Sequence, residues 1–266
     1  MRLALTAPIG LLLASCATIA PRATDPVGRI YSYIRSNSDG SEAETIHVFR
    51  AATDRVEVTK MRARCTDAAF VTAEFDLARN QARRLVGGRL LPGAGHRDVA
   101  VLEHDAERGQ VTARIALPGG PLNLTLTAPH QPWMLYDFDL VDLSVMNQLR
   151  DGRRADLNLG VALFWNDGEP RDALRWLGSA SVRFVGEERR DGRPTLRFET
   201  QGPAFGERGG PIWFDAADGH IVAADLGLPN HAEYRDYRLR LTRVSDGGPA
   251  SWRALLAAHF ADCPAA

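Results

Sequence analysis

The 266-residue chain is 45% hydrophobic and 24% charged, ordinary values for a protein that folds around a sizeable core. Its 32 basic and 33 acidic residues leave a formal net charge of −1, so it has no global attraction to nucleic acid or to anionic lipid. Nearly every basic residue is Arg and Lys60 is the single Lys, a bias that a GC-rich genome explains without any role in phosphate recognition.

The first predicted element is an export signal. Arg2 supplies a short positive region, Leu3 to Ala14 is apolar apart from Thr6, Pro8 and Gly10, and small residues then precede Cys16. The run is well short of the ~20 apolar residues a permanent membrane helix needs. Leu13-Ala14-Ser15-Cys16 resembles the lipobox of bacterial lipoproteins. That resemblance implies cleavage before Cys16 and acylation of Cys16. The stretch 16–26, with Pro21 and Pro26, reads as a tether, and without a clean linker beyond it the chain reads as a single β-rich domain over 27–266. Ala17, rather than Asp, after the cysteine implies the outer membrane, with the protein facing the periplasm. An ordinary secretory signal cut near Ala20 would instead discard Cys16.

From Val27 onward the pattern has period two. Tyr31, Tyr33 and Arg35 alternate with Ile30, Ser32 and Ile34, and Ile46, Val48, Val56 and Val58 continue the series. Such alternation argues for half-buried strands. Turn signals recur about every ten residues, as in Asn37-Ser38-Asp39-Gly40 and Asp191-Gly192, a cadence that suggests an antiparallel meander. One turn design appears at Asp76–Gln81, Asp105–Gln110 and Asp215–His220: Asp, three residues, Asn or Gly, then an amide or imidazole. Its Asp caps the turn and its Asn or Gly takes the left-handed position of a bulged hairpin. The spacing lacks the regular oxygen ligands of a calcium loop.

Between Trp133 and Phe164 the strand rhythm lapses. Leu140, Leu143, Met146 and Leu149 fall near helical spacing, with Asp139 placed to cap the first turn and Arg150 suited to the last. A second helix is predicted from Pro249 to Ala261, with Trp252, Leu255, Leu256 and His259 on one face. Cys263 follows it, so this helix is expected to dock on the sheet. An even pair of cysteines, Cys65 and Cys263, permits a disulfide in an exported chain; two buried thiols are the alternative.

Chemistry is scarce. The seven histidines show no zinc-site spacing, and no nucleophile elbow, phosphate loop or dinucleotide motif occurs. No metal or cofactor is expected. Asp137, Asp139 and Asp142 form the one acidic constellation with potential for acid–base work, although cap positions account for two of them. In the glycine-rich loop 201–210, Phe205 is a candidate for contact with a membrane or an apolar ligand, or folds back into the core.

The acylated cysteine, about eleven or twelve antiparallel strands and one or two short helices together resemble the half-open β-barrels of the Lol lipoprotein-carrier family. Tyr31-Ser32-Tyr33-Ile34-Arg35-Ser36-Asn37 and Gly209-Gly210-Pro211-Ile212-Trp213-Phe214-Asp215 are similar to an uncharacterised proteobacterial lipoprotein family. The resemblance implies a mainly β fold built on a single, strongly curved antiparallel sheet, with one helix near the C-terminus. It implies a non-enzymatic envelope lipoprotein, held to the membrane by its lipid anchor, that binds an apolar acyl or lipid ligand. A structural or assembly factor acting through protein contacts is the alternative, and a periplasmic hydrolase or metal-dependent enzyme a third reading.

Overall fold

The computed structural model describes residues 26–165, 167 and 169–264. The signal sequence and Cys16 lie outside the described residues. The fold is mainly β. Fifteen strands form one sheet: β1 (Arg29–Ser36), β2 (Glu44–Ala52), β3 (Arg55–Met61), β4 (Ala68–Asp76), β5 (Gln81–Leu91), β6 (Gly95–Asp105), β7 (Gln110–Ile115), β8 (Leu122–Thr127), β9 (Trp133–Leu135), β10 (Leu157–Phe164), β11 (Leu174–Arg190), β12 (Arg193–Gly202), β13 (Gly206–Asp215), β14 (Ile221–Leu226) and β15 (Tyr237–Asp246). Two α-helices accompany them, α1 (Val141–Leu149) between β9 and β10, and α2 (Gly248–Phe260) after β15.

The sheet is two meanders joined at a seam. β1 to β8 run outward in sequence order on one side, and β9 to β15 return on the other, so that β1 pairs with both β2 and β15. At the seam Arg29 faces Asp246 and Ser36 faces Arg238. All neighbours are antiparallel except β9, which pairs parallel with β10 because the chain crosses over through α1 between them. The sheet is not closed, since its edge strands β8 and β9 do not pair, and it is not strongly curled. This corrects the expected strongly curved half-barrel of eleven or twelve strands. The edges come near the opposite meander through packing: β9 approaches β5 and β8 approaches β11.

The three Asp turns are built alike. Asp76 Oδ1 accepts from the Ala78 and Arg79 amides, Asp105 Oδ1 from those of Glu107 and Arg108, and Asp215 Oδ1 from those of Ala217 and Asp218. Asn80, Gly109 and Gly219 take the left-handed position, at φ 51°, 60° and 81°.

Two hydrophobic clusters lie on opposite faces of the sheet. The larger one gathers Tyr31, Tyr33, Val58, Phe75, Phe198 and Phe214 around the buried face of α1, which contributes Val141, Leu143, Val145 and Met146. The smaller one packs Trp252 and Leu256 of α2 on Ile30, Phe49, Phe70 and Leu90. β1 is therefore covered on both faces, which is why its two alternating sets are both largely buried. Trp252 stacks on Phe49 and donates Nε1–H to Glu57 at 2.7 Å. Burying two such side chains contributes roughly 3–6 kcal/mol. A disulfide joins Cys65, in the β3–β4 loop, to Cys263 beyond α2. The Cys65 amide and Arg64 donate to the His259 and Ala261 carbonyls beside it. Among the described residues no helix is long and apolar enough to cross a membrane.

Candidate functional site

Inward-facing side chains of β1 and β3 bring two cations into the interior. The period-two set Tyr31, Tyr33, Arg35 points to the larger core, so Arg35 is only 2% exposed, and Lys60 at the end of β3 is 7% exposed. Both meet Asp139, which lies in the crossover between β9 and α1. Arg35 Nη1 donates to Asp139 Oδ1 at 2.9 Å, and Lys60 Nζ pairs with Oδ2. Asn230 Nδ2 donates to the same Oδ1 at 2.8 Å, while Arg35 Nη2 reaches Glu44 at 2.6 Å and the Tyr234 hydroxyl at 2.8 Å. Buried charges of this kind are tolerated only when paired and hydrogen-bonded.

The backbone bends sharply to make these contacts. Asp139 and Leu140 are consecutive non-glycine residues in the left-handed region, at φ 56° and 60°. Each costs on the order of 1–3 kcal/mol, and the strain places the Asp139 carboxylate between the two cations rather than on the helix. Asp139 is therefore not the α1 cap. The cap position is Leu140, with no side-chain hydrogen bond, and Asp142 instead accepts from the Leu143 amide at 2.9 Å and from the Leu135 amide at 2.5 Å.

The three carboxylates of the acidic constellation thus engage separate partners. Asp137 accepts from the Phe164 amide at 2.9 Å, Asp139 holds Arg35 and Lys60, and Asp142 ties β9 to α1. Burial pushes the Asp137 carboxyl up to about 6 and the Asp142 carboxyl up to about 7, against the opposing pull of those amides. Burial acts on Asp139 in the same sense, but Arg35 and Lys60 outweigh it and hold that carboxyl well below the usual range. Asp137 and Asp139 are linked through Lys60, whose Nζ also donates to the Asp137 carbonyl at 2.7 Å, and the Asp137 charge adds to the rise at Asp142.

Above this network opens a cleft of about 350 Å³. Its apolar wall is formed by Val71, Leu85, Leu102, Leu135, Phe138 and Phe164, and its polar end by Arg35, Glu44, Lys60, Asp137 and His231. The space exists because small residues interrupt an inward-facing row. Val58 faces Val71, Val71 faces Gly87, and Gly87 faces Ala100 across successive strands. No atom lies within 4 Å of where a Gly87 side chain would begin, whereas at Gly88 the Arg97 carbonyl oxygen would be 2.2 Å away. By contrast, the gap under α1, lined by Tyr31, Tyr33, Val48, Leu140 and Val145, is only about 10 Å³. That is at most one water, so α1 fills the part of the core it covers.

Phe205 is not a surface contact. It is 2% exposed and meets the Tyr136 ring edge-on at 5.2 Å. The turn that carries it is closed by hydrogen bonds from the Phe205 amide to Gly202 and from the Arg208 amide to Phe205, with Gly202 and Gly206 at positive φ. The bend tucks the ring inward.

The sequence reads Asp215–His220 only as a hairpin turn, whereas the fold joins it to Arg29 and Tyr31 in a second buried polar cluster. Asp215, Asp218 and His220 place one donor atom each within 4.8 Å of one another. Their chemistry does not suit a cation, however. Asp218 Oδ2 already accepts from Arg29 at 2.8 Å and from the Tyr31 hydroxyl at 2.9 Å, Asp218 Oδ1 pairs with His220 Nδ1, and Asp215 is committed to its turn amides. The cluster knits the β13–β14 turn to the seam.

Lys60 and Arg35 carried a usable signal. The only Lys of the chain ends a strand of otherwise buried alternation, and Arg35 continues the Tyr31–Tyr33 face. His231 and Asn230 gave none, since they lie in an irregular segment between β14 and β15. No protein-family model matches the chain, and no curated protein matches it.

Proposed function

We propose that this chain is a non-enzymatic, lipid-anchored envelope protein that holds a small apolar ligand in the cleft between β3–β6 and the β9–α1 crossover. The observation that supports this reading is the cleft itself, whose volume of about 350 Å³ lies within the range of small-molecule sites. Its apolar wall supplies the binding energy, at about 0.8 kcal/mol for each methylene buried. The anchor rests on the Leu13–Cys16 lipobox and Ala17, which point to the outer membrane. The enzymatic reading gains no support from these contacts, because Asp137 is taken by the Phe164 amide, Asp139 by Arg35 and Lys60, and Asp142 by the Leu135 and Leu143 amides.

The test uses the Cys16→Ala form and the fluorescent apolar probe N-phenyl-1-naphthylamine. Wild-type cleft residues are expected to bind it with micromolar affinity, and Gly87→Leu, which fills the cleft at a position of ordinary φ, is expected to weaken it at least tenfold with an unchanged circular dichroism spectrum. Absence of probe binding by the parent, or equal binding by Gly87→Leu, would rule the cleft out. Metabolic labelling with a fatty acid checks the anchor separately.

A further inference from the structure

We propose that the ligand of this cleft is a single-chain amphiphile with an anionic head, held where Arg89 and Arg97 face each other across β5 and β6. The inference rests on the binding function proposed above. Strand register places the two arginines. The row Val58, Val71, Gly87, Ala100 frames the apolar gap, and the next row on the same face is Lys60, Ala69, Arg89, Arg97. A bulge between Gly87 and Gly88 absorbs one extra residue of β6, which is how Ala100 and Arg97 come to share a face. Directly opposed residues have their Cβ atoms about 5 Å apart, so Arg97 stands beside Arg89, which lines the cleft. Successive rows on one face lie roughly 7 Å apart along a strand. A chain lying in the gap therefore brings its head to the cationic row, where Ala69 leaves room next to Arg89.

The charge of this row is unanswered. Arg89 and Arg97 are both exposed, and neither has an ion pair or a hydrogen bond among the described residues. Like charges directly opposite each other are destabilising. The acids nearby are taken: Glu44 holds Arg35 at 2.6 Å, Glu233 meets Arg62 at 3.4 Å, and Asp137 accepts from the Phe164 amide. Asp98 faces away, 3.6 Å from His96, whose ring stacks on Phe70 under α2. The deeper cations, Arg35 and Lys60, already share Asp139. A carboxylate set between Arg89 and Arg97 accepts N–H bonds from both and replaces their repulsion with two attractions. A hydroxyl gains less there, and an ammonium adds a third like charge. The volume of about 350 Å³ lies near the low end for small-molecule sites, which suits one acyl chain rather than two.

The experiment displaces N-phenyl-1-naphthylamine from the Cys16→Ala protein at neutral pH and low salt with three ten-carbon amphiphiles: decanoate, 1-decanol and decylamine. Decanoate is expected to compete better than decylamine. The sharper reading is the ratio of decanoate to decanol affinity, in which the shared tail cancels. Arg89→Gln combined with Arg97→Gln is expected to lower that ratio about tenfold, while the affinity of the uncharged probe stays within twofold. Charge reversal, Arg89→Glu with Arg97→Glu, is expected to make decylamine the better competitor. Salt at about 1 M, where the Debye length is about 3 Å, should lower the ratio in the parent and leave it unchanged in the Gln variant. An unchanged ratio in the folded Gln variant overturns the head-group inference and leaves the apolar cleft standing. So does a parent whose ratio ignores salt, or one that takes decylamine as well as decanoate, and these two readings hold even if a variant does not fold. Failure of the probe to bind the parent removes both proposals together.

Discussion

Arg35 Nη1 and Asp139 Oδ1 lie 2.9 Å apart, 104 residues distant in sequence, with both side chains almost fully removed from solvent. Lys60 closes on the other carboxylate oxygen. Removing the shared anion strands two buried cations, so Asp139→Ala is expected to cost about 3–5 kcal/mol. Asp139→Gly loses the same charge but relieves the φ of 56°, and it should be more stable than the Ala variant by about 1 kcal/mol. Urea melts of the pair measure both quantities. Equal stabilities would show that the left-handed bend carries no strain.

The buried acids make a pH signature that substitution can isolate. Asp142 titrates near 7 in the fold against 3.8 unfolded, so the folded state holds its proton more tightly across that window. Its contribution is present at low pH and lost as pH rises through about 7. Asp137, raised to about 6, acts in the same direction. His47 and His231, lowered by burial to about 4 and about 3, act oppositely, because the unfolded chain takes up their protons as pH falls through 6.5. The parent should therefore vary little between pH 4.5 and 6. Asp142→Asn, measured against the parent, should gain on the order of 1–3 kcal/mol in relative stability between pH 5 and pH 8. A pH-independent difference would show that Asp142 is not titrating from its buried site.

The Cys65–Cys263 disulfide holds α2 against the outer face of β1 to β5. Replacing both cysteines with Ser is expected to cost about 2–4 kcal/mol. Hydrogen exchange should quicken first in α2, where Trp252, Leu256 and His259 are the buried residues. Uniform loss of protection across the sheet would contradict this division of labour.

Phe205→Ala should behave as a core truncation, with a cost of about 3–5 kcal/mol. Co-sedimentation of the folded Cys16→Ala form with phospholipid vesicles should be unchanged by it. A selective loss of vesicle binding at unaltered stability would restore the ring to the surface.

Local pattern revealed what is local in origin. The alternation Tyr31, Tyr33, Arg35 marks an inward face, and three Asp turns declare themselves because each Asp bonds amides only two and three residues away. The C-terminal helix, its buried face and the disulfide partners were likewise legible. Asp139 was misread because a carboxylate just before a helix is normally a cap, and its true partners, Arg35 and Lys60, come from strands far upstream in sequence. Phe205 was left open because polarity and glycine content do not reveal which way a turn bends. β9 has only three residues, too few to show a period, and its parallel register is set across a helix. The curvature expected of a half-barrel depends on bulges and side-chain volumes along every strand, which no short window encodes.

The seam between β1 and β15 joins the first of the described strands to the last. Neither meander can acquire its second flank until residue 246 has been made, so a ribosome-bound or truncated chain carries β1 as a bare edge. The same adjacency means that the polypeptide enters and leaves the sheet at one spot. A circular permutant that joins the end of α2 to the start of β1 through a flexible linker, with new ends between β8 and β9, would keep every ladder, the helix and the disulfide while moving the late-arriving edge to the periphery.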